Sequence, residues 1–175
     1  MPRVLLPLLG LLTVAATTGC DAGSAPPSTD DVRAGLVRLY EADDAVTDEI
    51  ADQAGCFADA LLADLGVEGL ADAGIIEDGR VVTSLPVLPE DDAAAWVDAQ
   101  GGCVSYTDAA GLALSAQSKG RLDVAAFTRC FEAAVSPAQV RAAQIAALTA
   151  ALGDPAVTAL TDAQATCARA ALPPD

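Results

Sequence analysis

Apolar and polar positions alternate with a helical period along most of the chain. Val32, Leu36, Leu39 and Tyr40 fall at i, i+4, i+7 and i+8 and share one face of a first amphipathic helix. From about Thr47 to Leu65, a second stripe at about 100° per residue contains Ile50, Ala54, Phe57, Ala58, Leu61 and Leu65. Asp48, Asp52 and Asp59 lie on its opposite face, and Gly66 is well placed as the stop. A short helix over Glu68–Ala73, ending at Gly74, should follow. The pattern then breaks at "IIEDGRVVT", where Asp78-Gly79 between apolar pairs predicts a small two-stranded hairpin near 75–83. Pro86 and Pro89 end it.

After Pro89, "PEDDAAAWVDAQ" restarts a helix with acids in its first turn, favourable for the helix dipole. Gly101-Gly102 is expected to kink or stop this helix before Cys103. A further helix reaches about Ser118 and is closed by Gly120, and Asp123–Val135 forms another. "SPAQ" (Ser136 to Gln139) reads as a capping box with proline at the first helical position, opening a helix to Leu152. "TDAQ" (Thr161 to Gln164) reads as a second box opening the final helix, with Val157–Leu160 as a turn between them. The expected fold is all-α, a single helical domain carrying one small β-hairpin.

The N-terminus follows a different rule. Met1–Arg3 supplies one positive charge, the 13 residues Val4–Ala16 carry none, and Thr17-Thr18-Gly19 are small. Basic, apolar and small, in that order, is a secretory signal peptide. The apolar run is too short to span a bilayer as a helix, which needs about 20 residues, and Pro7 and Gly10 weaken it further. The small residues ending on Cys20 resemble the lipobox of bacterial lipoproteins, although Thr17 stands where that family usually carries Leu, Val or Ile. The resemblance implies cleavage between Gly19 and Cys20, acylation of Cys20, and anchoring of the exported chain to the outer face of the cell membrane. Asp21–Thr29 is rich in Gly, Ser, Pro and Ala and serves as a spacer. The organisation expected is signal peptide 1–19, anchored tether 20–29 and helical domain 30–175.

Charge removes several function classes. Loss of Arg3 with the leader leaves 8 of the 9 basic residues against all 25 acidic ones, a net charge of −17. Nucleic-acid binding needs basic surface and is disfavoured, as is attraction to anionic headgroups, so membrane attachment falls to the acyl chains. The sequence has no histidine, which takes away the usual general base and the commonest transition-metal ligand. Alanine occupies 40 positions and asparagine none, a bias of GC-rich genomes. The six aromatic residues are so few that Ala, Leu and Val must do much of the packing, which favours closely spaced helices. About 145 residues beyond the tether suffice for one domain with its own core.

An approximate internal repeat organises the remaining cysteines. Ile50-x5-Cys56-Phe57 recurs as Val124-x5-Cys130-Phe131, and "DAQGGC" (Asp98–Cys103) recurs as "DAQATC" (Asp162–Cys167), in the same order. The units run from about 46 to 118 and from 122 to 172. In an exported chain four cysteines read as two disulfides, with three pairings possible. The repeat favours Cys56–Cys103 and Cys130–Cys167, one staple in each unit. Cys56 sits about 120° from the apolar stripe of its helix, so each staple should tie a flanking helix to the edge of a core-forming one. No CxxC spacing points to redox or metal chemistry.

The stretches "CFADALLADLGVEGLADAGIIEDG" and "PEDDAAAWVDAQGGCV", with the second cysteine unit downstream, resemble a family of secreted or lipid-anchored actinobacterial proteins built from helical units around single cysteines. That resemblance implies helical fold and export, and no catalytic residues. The acid clusters Asp30-Asp31, Glu41/Asp43/Asp44, Glu77-Asp78 and Glu90-Asp91-Asp92 lack the spaced loop of a calcium site and read as solvated surface. No serine elbow, Cys-His pair, metal or cofactor site emerges, and Trp96 reads as a packing residue. The function expected is a non-catalytic binding or structural module whose partner is a protein or envelope component. The alternative is a carrier of a small apolar ligand in an inter-helical pocket.

Overall fold

The computed structural model describes residues 27–41 and 47–173. The leader, Gly19, Cys20 and most of the tether lie outside the described residues. Seven α-helices and one short hairpin follow in the order α1 (Thr29–Glu41), α2 (Asp48–Asp72), β1 (Ile76–Glu77), β2 (Arg80–Val81), α3 (Glu90–Cys103), α4 (Tyr106–Gln117), α5 (Val124–Ala134), α6 (Pro137–Leu148) and α7 (Pro155–Ala171). The fold is all-α.

Local chemistry accounts for most of these boundaries. Thr47 and Asp123 accept hydrogen bonds from the amides of Ile50 and Ala126, capping α2 and α5. Helix α2 is broken at Gly66, whose φ of 64° and ψ of 179° are open to glycine alone. The segments before and after it are the two helices that the sequence divides there. The second segment ends as a Schellman motif: the Gly74 amide donates to the Ala71 carbonyl and the Ile75 amide to the Leu70 carbonyl. The hairpin pairs Ile76 with Val81 and Glu77 with Arg80. Asp78 and Gly79 both have positive φ, 51° and 72°, as a two-residue type I′ turn requires. Ser136 and Gln139 form the reciprocal capping box at α6.

Three boundaries differ from the sequence reading. Gly101-Gly102 neither kinks nor stops α3, which runs through both to Cys103 and gives way at Val104, where the backbone turns extended. Helix α6 stops at Leu148 rather than Leu152, because Ala150 adopts a left-handed φ of 59° and its amide and that of Ala151 close a Schellman turn on Ala147 and Ala146. No glycine marked that stop. "TDAQ" is not a helix start: Asp154 caps and Pro155 opens α7 seven residues earlier, and the Thr161 hydroxyl bonds back to the Val157 carbonyl at 2.8 Å.

The helices bury two cores. Val32 and Leu36 of α1, Phe57 and Leu61 of α2, Ile75 and Ile76 of the hairpin region and Trp96 of α3 meet in the first. Phe127 and Phe131 of α5, Val140 of α6 and Leu160 and Cys167 of α7 meet in the second. Helix α4, inside the first repeat unit by sequence, packs its Ala110 and Leu114 in the second core. The aromatic residues divide three and three. Phe57 lies between Tyr40 and Trp96, with ring centroids 5.1 and 4.7 Å away, and the tryptophan meets it edge-on. Phe131 lies between Phe127 and Tyr106 at 5.6 and 6.0 Å. Each Cys-Phe helix thus places its phenylalanine at the middle of an aromatic trio, a favourable addition to burial. Helix α6 joins the cores: Ile145 and Leu148 pack against the first one, and the Leu148 carbonyl accepts from the Leu88 amide.

Candidate functional site

The four cysteines beyond Cys20 form two disulfides, Cys56–Cys103 and Cys130–Cys167, with Cα atoms 5.8 and 5.5 Å apart. The repeat therefore identified both pairs. The staples differ in setting. Cys56 is exposed on the flank of α2, away from the Phe57 stripe, whereas Cys167 is buried at 1% exposure in the second core. Each ties a Cys-Phe helix to a DAQxxC helix, α2 to α3 and α5 to α7. Their sulfurs are committed to structure, so none of the four is a free nucleophile or metal ligand.

A groove of about 500 Å³ opens where the two cores meet, between α3, the start of α4, the end of α5 and the start of α6. Val97, Val135 and Val140 form its floor, each less than one-tenth exposed. Tyr106, held half-buried against Phe131, contributes to the wall. Burial pushes its phenol up from the ordinary tyrosine value, so the ring stays neutral at physiological pH. Gly101 lines the groove on α3, and a Cβ built there meets nothing within 4 Å. The helix therefore gives up favourable propensity at a point where a side chain would have room.

One ion pair crosses the seam. The Arg141 guanidinium donates through Nε and Nη2 to the two carboxylate oxygens of Asp98, both at 2.7 Å. The bonds from Arg141 hold the Asp98 carboxyl below the usual carboxylate range, against a smaller opposing effect of desolvation. Both side chains are about half exposed, 58% and 46%, so the pair fixes geometry more than it stabilises. Asp98 belongs to the DAQxxC motif and Gly101 reads in the sequence only as a helix break; Arg141, Glu132 and Tyr106 carry no site signal there. Residues 97–107 and 132–144 become neighbours only when α3 and α6 pack side by side, and no local pattern encodes that. The unexplained helical glycine at 101 was the one available signal.

The remaining sequence candidates fall apart in space. Asp30-Asp31 and Glu90-Asp91-Asp92 occupy first turns of α1 and α3, and Asp78 sits in the hairpin turn. Asp43 and Asp44 lie outside the described residues. Among the described residues no cluster of three or more acids, cysteines or histidines is arranged to hold a metal ion. No helix among them is long and apolar enough to cross a membrane. Comparison with protein families, with curated proteins and with solved structures returned no match.

Proposed function

We propose that this chain is an exported, lipid-anchored, non-catalytic binding module that meets its partner, a protein or another envelope component, through the groove at the seam. The groove is the observation that carries the reading: its volume falls in the range of specific small sites, and a valine floor lies beneath a rim of polar side chains that includes Asp98, Glu132, Arg141 and Gln144. Two disulfides fit an oxidising compartment. Their pairing also leaves Cys20 as the odd thiol, consistent with a different chemistry for it, namely acylation behind the leader. Absence of histidine and commitment of the other cysteines favour binding over catalysis.

Two experiments test this. Labelling of cells with a clickable fatty acid should mark the wild-type chain and not Cys20→Ala; persistent labelling of that variant refutes the anchor. A photo-crosslinking residue at position 144, on the groove wall, should capture one dominant envelope component, and Gly101→Leu should abolish the capture by filling the groove. Capture unaffected by Gly101→Leu would refute the groove as the binding face. A second reading, carriage of a small apolar ligand, is favoured by the valine floor; native mass spectrometry of the mature protein should then show a bound small molecule that Gly101→Leu displaces.

A further inference from the structure

The lining of the seam groove holds three charged side chains, and their balance is uneven. Asp98 and Arg141 neutralise each other through their paired 2.7 Å bonds. Glu132, near the end of α5, is exposed and takes part in no ion pair among the described residues. A ligand lying on Val97, Val135 and Val140 therefore faces one uncompensated carboxylate at the rim. We infer that the groove binds a small apolar cation, its hydrocarbon body on the valine floor and its positive group held by Glu132. The inference rests on the small-ligand reading of the groove and supplies its ligand class.

Three further observations point the same way. The mature chain carries a net charge of −17, which concentrates cations at its surface and repels anions. Tyr106 places an aromatic side chain in the lining, a residue type that attracts cations. The bidentate clamp on Asp98 occupies the only guanidinium in the lining, so an anionic headgroup would have to break that pair before finding a partner.

Calorimetric titration of the mature chain carrying Cys20→Ser, which has no acyl chain to compete for the apolar floor, tests this with three ligands sharing an eight-carbon tail. Octyltrimethylammonium should bind about five- to tenfold more tightly than octanol, and nonanoate, whose carboxylate carries the same octyl tail, the most weakly. Glu132→Gln should remove most of the cation's advantage over octanol while leaving octanol itself unchanged. Glu68→Gln, on α2 and outside the groove, changes the net charge equally and should leave all three affinities as they were. Equal binding of cation and octanol, or equal effects of the two substitutions, would overturn the inference. If octanol binds and the cation gains nothing, the small-ligand groove stands and the cation falls; if none of the three binds, the small-ligand reading falls with it.

Discussion

The two disulfides close loops of similar length and should still contribute unequally. Sequence separations of 47 and 37 residues give, from chain entropy alone, about 4 kcal/mol each, with the longer loop ahead by only about 0.2 kcal/mol. Burial reverses the order. Cys167 is 1% exposed among Phe127, Phe131 and Leu160, whereas Cys56 faces solvent. Cys130→Ala/Cys167→Ala therefore removes a sulfur from a packed core and leaves a small void, a further loss of about 1 kcal/mol. Cys56→Ala/Cys103→Ala removes one exposed sulfur, at Cys56, and one only partly buried, at Cys103 on the edge of the first core, so the void it leaves is smaller and open to water. The expected losses are about 5 kcal/mol for the second staple and about 4 kcal/mol for the first. Against the usual domain stability of about 5–15 kcal/mol, either is severe. Urea unfolding of the mature chain carrying Cys20→Ser, followed by circular dichroism with the slope fitted for each variant, measures both. A first-staple variant as unstable as the second, or more so, would refute the reasoning that burial decides the order.

Other outcomes follow from single positions. Ala150→Gly relieves a left-handed alanine at the end of α6 and should stabilise by about 1 kcal/mol in the same unfolding assay. Gly101→Ala, inside α3 and free of contacts, should also stabilise by about 0.5–1 kcal/mol. Gly35→Ala should do the opposite, destabilising by about 1–3 kcal/mol, because the new Cβ would sit 2.6 and 2.7 Å from Cγ2 and Cβ of Val81 and push α1 off the hairpin. The Asp59 and Asp98 carboxyls are lowered by bonds from Arg33 and Arg141. Their contribution is present above the ordinary carboxylate range near pH 4 and is lost as pH falls through the lowered values. Asp59→Asn/Asp98→Asn should therefore flatten the acid limb of a stability–pH curve and leave the region above pH 8 unchanged in slope.

What could be read in advance was what local chemistry encodes. The Asp78-Gly79 turn, the Ser136–Gln139 box and the break at Gly66 each depend on a few adjacent residues, and each formed where the sequence placed it. The disulfide pairs were legible because the repeat supplied long-range information that spacing lacks. Errors arose where one signal had two physical outcomes. Thr161 carries the side chain of a cap, yet with helical backbone on both sides its hydroxyl turns to the carbonyl one turn back. Ala150 carries no signal, because the Schellman bonds of Ala150 and Ala151 impose a conformation that glycine would adopt more readily. Trp96, solitary in sequence, meets Phe57 only through the packing of α3 on α2.

The groove follows from the way α6 is shared between the cores. Its C-terminal half is drawn to the first core, through Ile145, Leu148 and the bond from the Leu88 amide. Its N-terminal half is held by the second core, through Val140 and Ala143. Between these two attachments the groove opens beside Val97 and Gly101 of α3. Arg141 and Asp98 both line that space and join α6 to α3 through two 2.7 Å bonds, which places the pair to act as a strut across the opening. Asp98→Ala/Arg141→Ala removes the strut and little else, since surface pairs of this exposure contribute about 0–1 kcal/mol to stability. The unfolding midpoint should hardly move, while backbone amides of 97–104 and 137–144 lose protection in native-state hydrogen exchange and groove affinity falls. Unchanged exchange in both segments would show that apolar packing alone fixes the seam, and that the pair has no part in shaping the groove.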